Sequence, residues 1–218
     1  MKDLEGKGLF ELRTKKAGIL FVLFTALIFL SHSCMNVRKS ETIGDMQAPK
    51  EKFVKKTIAV LPVKTQTSLA TDSLLSLRMA VNDKLDDKIR EKINDARIIN
   101  AKETVNILND KGKIELLDDI IKTYENTGVF DKRLIETLGH MFNSHYIVFS
   151  RLKAEKMAVS IIGKGFGASL EVAIIDNVKN EIVWAGSGEF KRGGIFGFGT
   201  TENKQAAEEL VRLAFAKF

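Results

Sequence analysis

The hydrophobic pattern of the chain is a block near its start and becomes periodic only after Phe53. Residues 17–30, AGILFVLFTALIFL, carry no charge and no strongly polar group. As a helix, fourteen such residues span about 21 Å at roughly 1.5 Å per residue. A hydrocarbon core is about 30 Å thick and asks for about 20 apolar residues, so the run is short for a permanent span. Residues 35–52 follow with alternating charges, Pro49 and no apolar period, and read as a linker. Such a linker reaches at most about 60 Å fully extended, and nearer 25 Å as a coil.

Residues 57–63, TIAVLPV, form a short apolar run closed by Pro62, the pattern of a buried strand. Thr71 or Asp72 then caps a helix in which Leu74, Leu77, Val81, Leu85, Ile89 and Ile93 make one apolar stripe. Residues 96–99 are a short strand, and Asn100 caps a helix running to about Asn109. Residues 113–124 predict a third helix, closed by Asn126-Thr127-Gly128. Asp131 caps a fourth, with Leu134, Ile135, Leu138 and Phe142 inward. Strands are expected over 145–152, 157–162, 169–176 and 181–190, with the second continuing or pairing with the first. Glycine-rich turns or loops fall at 163–167 and 193–199, and 177–180 is a hairpin turn. Residues 202–217 make a last helix with Ala206, Leu210, Leu213 and Phe218 inward.

The order β-α-β-α-α-α-β-β-β-α predicts an α/β (α+β) fold, a mixed, largely antiparallel sheet covered by helices in a single domain over 53–218. Its size, about 165 residues, is ordinary for one domain.

Charge and cysteine usage add an address. The first 33 residues carry five basic and three acidic side chains, so their removal lowers the net charge from +6 to +4. Without a basic cluster interleaved with aromatics, the chain shows no nucleic-acid footprint. A basic segment, an apolar stretch of this length and small polar residues after it are the pattern of an export signal over 1–33. Cys34, the sole cysteine, stands directly behind it and can form no disulfide within the chain.

Leu30-Ser31-His32-Ser33-Cys34 resembles the lipobox of bacterial lipoprotein precursors, in which the cysteine is lipidated through its sulfur before cleavage. It departs from the usual box in placing the leucine four residues, rather than three, before the cysteine, and in carrying His32. The resemblance implies a lipidated Cys34 on a linker over 34–52. It further implies sorting to the periplasmic face of the outer membrane, because Met35 stands where enteric bacteria place the aspartate that retains lipoproteins in the inner membrane.

Three further passages resemble one periplasmic lipoprotein superfamily: KTIAVLPV (56–63), LIETLGHMFNSHYIVFSRL (134–152) and ASLEVAIIDNVKNEIVWAGSGEF (168–190). That superfamily includes the curli-secretion lipoprotein, lipoprotein activators of penicillin-binding proteins, TolB N-terminal-like domains and small lipoproteins associated with envelope transport. Asp176, Glu181, Val183, Trp184, Gly186, Ser187 and Gly188 match its hairpin pattern. Asn143-Ser144-His145 and the turn Asn177-Val178-Lys179-Asn180 depart from the usual residues. These motifs are signatures of a fold rather than of chemistry.

Few residues invite a chemical role. Neither glycine-rich segment holds the Lys-Ser/Thr pair of a phosphate-binding loop, and 163–167 runs on into a strand, so a turn explains it better. Ile195, Phe196 and Phe198 stand in the loop before the last helix. There they either make a contact surface for protein or lipid or fold back over the end of the sheet. His140 and His145 lack the further ligands a metal site needs. The adjacent pairs Asp86-Asp87 and Asp118-Asp119 point to different sides of their helices, and no serine stands in a nucleophile elbow. Trp184 belongs in the core.

The expectation is a non-enzymatic, membrane-anchored periplasmic lipoprotein without cofactor or metal. It would act as a binding or assembly module for cell-envelope or transport machinery, with an envelope protein as partner and self-association open. The alternatives are an activator of a peptidoglycan synthase, which needs a longer linker, an envelope hydrolase, which needs convergent titratable groups, and a curli-type pore subunit. The pore needs four extra membrane strands of about 9–11 residues, and the strands after His145 are already committed to the core.

Overall fold

A computed structural model of the chain describes residues 36–42, 50–67, 71–158, 164–194 and 200–218. Its elements run β1 (Asn36–Thr42), β2 (Thr57–Val60), β3 (Lys64–Thr67), α1 (Thr71–Lys92), β4 (Arg97–Ile99) and α2 (Ala101–Asp110). They continue with α3 (Leu116–Thr127), α4 (Lys132–Phe142), β5 (Tyr146–Ala158), β6 (Lys164–Asp176), β7 (Glu181–Gly194) and α5 (Thr200–Ala214). The expected mixed α/β single domain is what forms.

The helices begin and end where local chemistry dictates. Asn100 accepts the Glu103 amide at 2.9 Å while the Glu103 carboxylate accepts the Asn100 amide at 2.9 Å, a reciprocal cap that starts α2. One carboxylate oxygen of Asp131 accepts the amides of Arg133 and Leu134 at the start of α4. Gly128, at φ 70°, closes α3 in the left-handed conformation that glycine adopts without a Cβ penalty. In α1 the apolar spacing buries Leu77, Val81, Leu85 and Ile89, with Ile93 buried just past its end, while Leu74 is half-buried.

The seven-stranded sheet is ordered β1-β7-β6-β5-β2-β4, with β3 also pairing with β5. The long ladders β5–β6, β6–β7 and β7–β1 are antiparallel, and the short ladders of β2 and β3 with β5 and of β2 with β4 are parallel. On one face Val148, Leu152, Phe166, Leu170, Val172, Ile174 and Trp184 pack against α1 and α5. On the other Ala59, Ile99, Ile147, Phe149 and Ile175 pack against α2, α3 and α4. The second layer of helices covers only the half of the sheet that holds these residues.

Sequence expectations change at several places. The linker over 34–52 is not a linker throughout: residues 36–42 form β1, antiparallel to β7. Its residues, NVRKSET, show no apolar alternation because the strand lies at the sheet edge and is held through its backbone. A strand also follows Pro62: β3 resumes the extended course at Lys64 and pairs with residues 151–154 of β5. Proline interrupted the ladder without ending the course of the chain.

Residues 164–167, expected in a turn, belong to β6 and pair with both neighbours. Phe166 and Ala168 carry the inward alternation on, and Gly165 and Gly167 between them mask it by lacking side chains. The expected strand over 157–162 is, as far as Ala158, the continuation of β5. The last helix runs from Thr200 to Ala214, and Phe215, just past its end, is fully buried. Residues 193 and 194, expected in the glycine-rich loop, complete β7.

Candidate functional site

Among the described residues, no helix covers the face turned away from α1 and α5 beyond Phe149 and Ile175. Alternation along β5, β6 and β7 places Arg151, Lys153 and Glu155 there beside Ser169, Glu171, Ser187, Glu189 and Lys191. Gln66 of β3, in register with Lys153, joins them. Gln66, Lys153, Glu155, Ser169, Glu189 and Lys191 line a shallow trough of about 490 Å³. Gly167 also borders it.

The three cations Arg151, Lys153 and Lys191 on this face are paired with carboxylates of the sheet. Arg151 donates through Nε at 3.1 Å and Nη2 at 2.6 Å to one oxygen of Glu171. Lys153 approaches the other oxygen at 3.9 Å, and Lys191 pairs with Glu189. The Arg151 guanidinium also lies 5.8 Å from the centre of the Tyr124 ring, at the border where α3 meets the open face. Cations and carboxylates in alternation favour neither a free anion nor a free cation. They offer donors and acceptors in a row, the chemistry of a polar protein surface.

The most perturbed carboxyl lies elsewhere. Burial pushes Asp86, on α1, up to about 6, against the pull of the Ala101 backbone amide and of Arg90. Its carboxyl lies beside the Ala101 amide at the start of α2. Burial also raises the Tyr146 hydroxyl, with Asp176 adding to the shift, and that hydroxyl donates to the Lys52 carbonyl at 3.3 Å. Neither group faces the trough.

Cys34, Ile195, Phe196 and Phe198 lie outside the described residues. Their described neighbours meet at one end of the sheet, where Asn36 pairs with Arg192 and Gly194 pairs with Lys164. His140 is exposed in the last turn of α4. His145 is exposed and locked to β2, its Nδ1 accepting the Thr57 amide at 3.3 Å and its own amide donating to the Thr57 carbonyl at 2.8 Å. Among the described residues no three His, Cys, Asp or Glu side chains are grouped to hold a metal, and no helix is long and apolar enough to cross a membrane.

Two features of the sequence acquire a physical reason here. Gly186 and Gly188 of β7 sit directly beneath α5: a Cβ at Gly188 would lie 2.5 Å from the Leu210 carbonyl and 2.8 Å from the Ala214 amide. Trp184 beside them is fully buried, its ring 4.8 Å from Phe215 and 4.9 Å from Phe218 between centroids. The hairpin signature therefore serves the α5 contact. The trough residues were visible only as a period-two polar pattern along β5 to β7, which a half-covered sheet face explains.

No family model and no curated protein matches the chain. Among solved structures it is similar to the PelC dodecamer from Paraburkholderia phytofirmans, at 14% identity and TM-score 0.44 over 84% of this chain and 96% of that one. Lipoprotein GNA1162 from Neisseria meningitidis aligns at 12% identity and TM-score 0.48, over 70% of this chain and 93% of that one. The C-terminal domain of LpoB from Escherichia coli aligns at 12% identity and TM-score 0.36, over 66% and 93%. Likenesses at this level assign no role to any residue of this chain.

Proposed function

We propose that this chain is a lipid-anchored protein of the bacterial envelope, exported by residues 1–33, cleaved before Cys34 and lipidated on that cysteine. Its domain then works as a non-enzymatic binding or assembly module on the periplasmic face of the outer membrane. One observation carries the anchor: an apolar run too short to span ends four residues before the sole cysteine. The fold adds that β1 begins two residues later, at Asn36. The open face with its paired charges is the surface on which a protein partner would dock.

The position of β1 also ranks the versions of this role. Between Cys34 and the sheet lies Met35 alone, so little free chain is left to carry the domain across the periplasm. That favours partners close to the membrane over a distant peptidoglycan synthase.

Metabolic labelling with a palmitate analogue, on the parent chain and on Cys34→Ala, tests the anchor. Label on the parent and none on the variant is expected, and equal labelling of both would defeat the lipid assignment. Crosslinking in native membranes tests the module. A discrete envelope complex lost with Lys153→Glu/Lys191→Glu is expected. Turnover of a cell-wall or lipid substrate without any complex would defeat the module.

A further inference from the structure

The ladders arrange the open face in rungs. Lys153 of β5, Ser169 of β6 and Glu189 of β7 share one rung, and Glu155, Gly167 and Lys191 share the rung two residues nearer Asn36. Gly167 and Ser169 make a low floor between two walls of long side chains, which is why a trough forms there. The walls carry opposite charges in opposite order: plus then minus along β5, minus then plus along β7. Lys191 pairs with Glu189 on its own strand, while Glu155 is exposed and has no ion pair among the described residues.

This pattern is its own complement. A two-fold axis lying over β6 and parallel to it turns a second copy face down, exchanges the β5 and β7 walls and keeps each rung opposite itself. Lys153 then faces the second copy's Glu189, and Glu155 faces the second copy's Lys191. On the next rung Arg151 faces Ser187, and Glu171 meets Glu171 on the axis, each already held by Arg151 at 2.6 Å and approached by Lys153 at 3.9 Å. The β1 positions of Lys39 and Glu41, in register with Glu189 and Ser187, come over the β3 positions of Gln66 and Lys64. Complementary charge of this kind fixes partner and register, and a two-fold contact uses the same patch on both copies.

A two-fold across the strands would also match the wall charges, but it reverses the second copy. β6 runs on from Gly167 to Asp176, about 30 Å at roughly 3.4 Å per residue. Asn36, one position beyond the rung of Lys191, stands within about 7 Å of Cys34. A reversed copy would therefore drive its Asp176 end past its partner's anchor into the bilayer, whereas the axis along β6 keeps both anchors at one end. Resting on the lipid anchor and the docking face proposed above, we infer that the partner on the open face is a second copy of this chain. The two dock face to face, their strands running the same way and both lipids in one membrane. From β3 to β1 and over residues 151–155 the face measures about 19 by 14 Å, at about 4.8 Å per strand and 3.4 Å per residue. That is small beside the roughly 800 Å² per partner of a standard interface, so the docking depends on the lipid confining both copies to one surface.

The test uses the full lipidated chain, in which the lipid blocks Cys34, reconstituted in phosphatidylcholine vesicles. Ser169→Cys places a thiol on the axis, and a short bismaleimide spans the roughly 10 Å between stacked sheets. Lys102→Cys, exposed on α2, is the control. A crosslinked dimer several-fold more abundant at position 169 than at 102 is expected. Added to Ser169→Cys, Lys153→Glu/Lys191→Glu makes both walls acidic, and Glu155→Lys/Glu189→Lys makes both basic. Each chain alone should lose the dimer, and mixing the two should restore it as a heterodimer. Equal yields at 169 and 102 in protein that floats with the vesicles would overturn the self-docking. So would full dimer yield from the all-acidic or the all-basic chain alone, or a mixture that stays uncrosslinked. Crosslinking of Ser169→Cys in native membranes to a different protein, without its own dimer, would overturn the second copy and leave the docking face standing. Failure to float would remove the anchor, and the shared-membrane pose with it.

Discussion

Gly188 and Asp86 show how single residues set the tolerances of this fold. At Gly188 the obstacle to a side chain is the backbone of α5 itself, which cannot rotate aside as a flexible side chain could. Gly188→Ala should cost about 1–3 kcal/mol, the usual range for forcing extra volume into a packed interior. Urea unfolding would show it as a lowered midpoint with an unchanged slope, and an unchanged midpoint would contradict the close approach. Asp86 acts through protons. Its folded-state value of about 6 lies above the ordinary 3.8, so the folded protein holds a proton that the unfolded chain has lost. Its contribution is present below the lower value and is lost as pH rises through the upper one. Asp86→Asn keeps an acceptor for the Ala101 amide and removes the charge. Its melting temperature should exceed the parent's by more at about pH 7.5 than at about pH 4. An equal difference at both pH values would show that burial is not what perturbs the group.

At the scale of elements, what was legible in the sequence followed the strength of its local signals. The apolar stripe of α1, the caps at Asn100 and Asp131 and the glycine at 128 each placed an element, because each acts through neighbours in the chain. The β6–β7 hairpin was legible from its alternation and from Asp176, whose carboxylate accepts the Val178 and Lys179 amides in the turn. β1 was not legible. Its seven residues carry no apolar face, and what holds them is a ladder with residues 186–192, far along the chain. The open face escaped notice for a related reason, since Arg151 and Lys153 find Glu171 across a ladder whose register the sequence does not state. If β1 closes the sheet, deleting residues 36–42 should lower the unfolding midpoint and speed amide exchange along residues 186–192. Unchanged exchange there would mean that β1 does not pair in solution.

For the whole molecule, the fold and the address come from different parts of the chain and meet at Asn36. Two layers of helices enclose one half of the sheet, and a single layer backs the other, so the open face and the anchor-side end belong to the same half. The candidate site itself was half legible: Cys34 stood out by chemistry, whereas the open face emerged only with the strand register. Intact mass spectrometry of the full chain, expressed in a bacterial host and extracted from its membranes, reads the proposed lipid on Cys34 without intermediaries. The expected product is a chain beginning at Cys34 whose excess mass is a diacylglyceryl group, with or without a further acyl chain. A membrane-extracted chain that still begins at Met1, or one that begins at an unmodified Cys34, would contradict it.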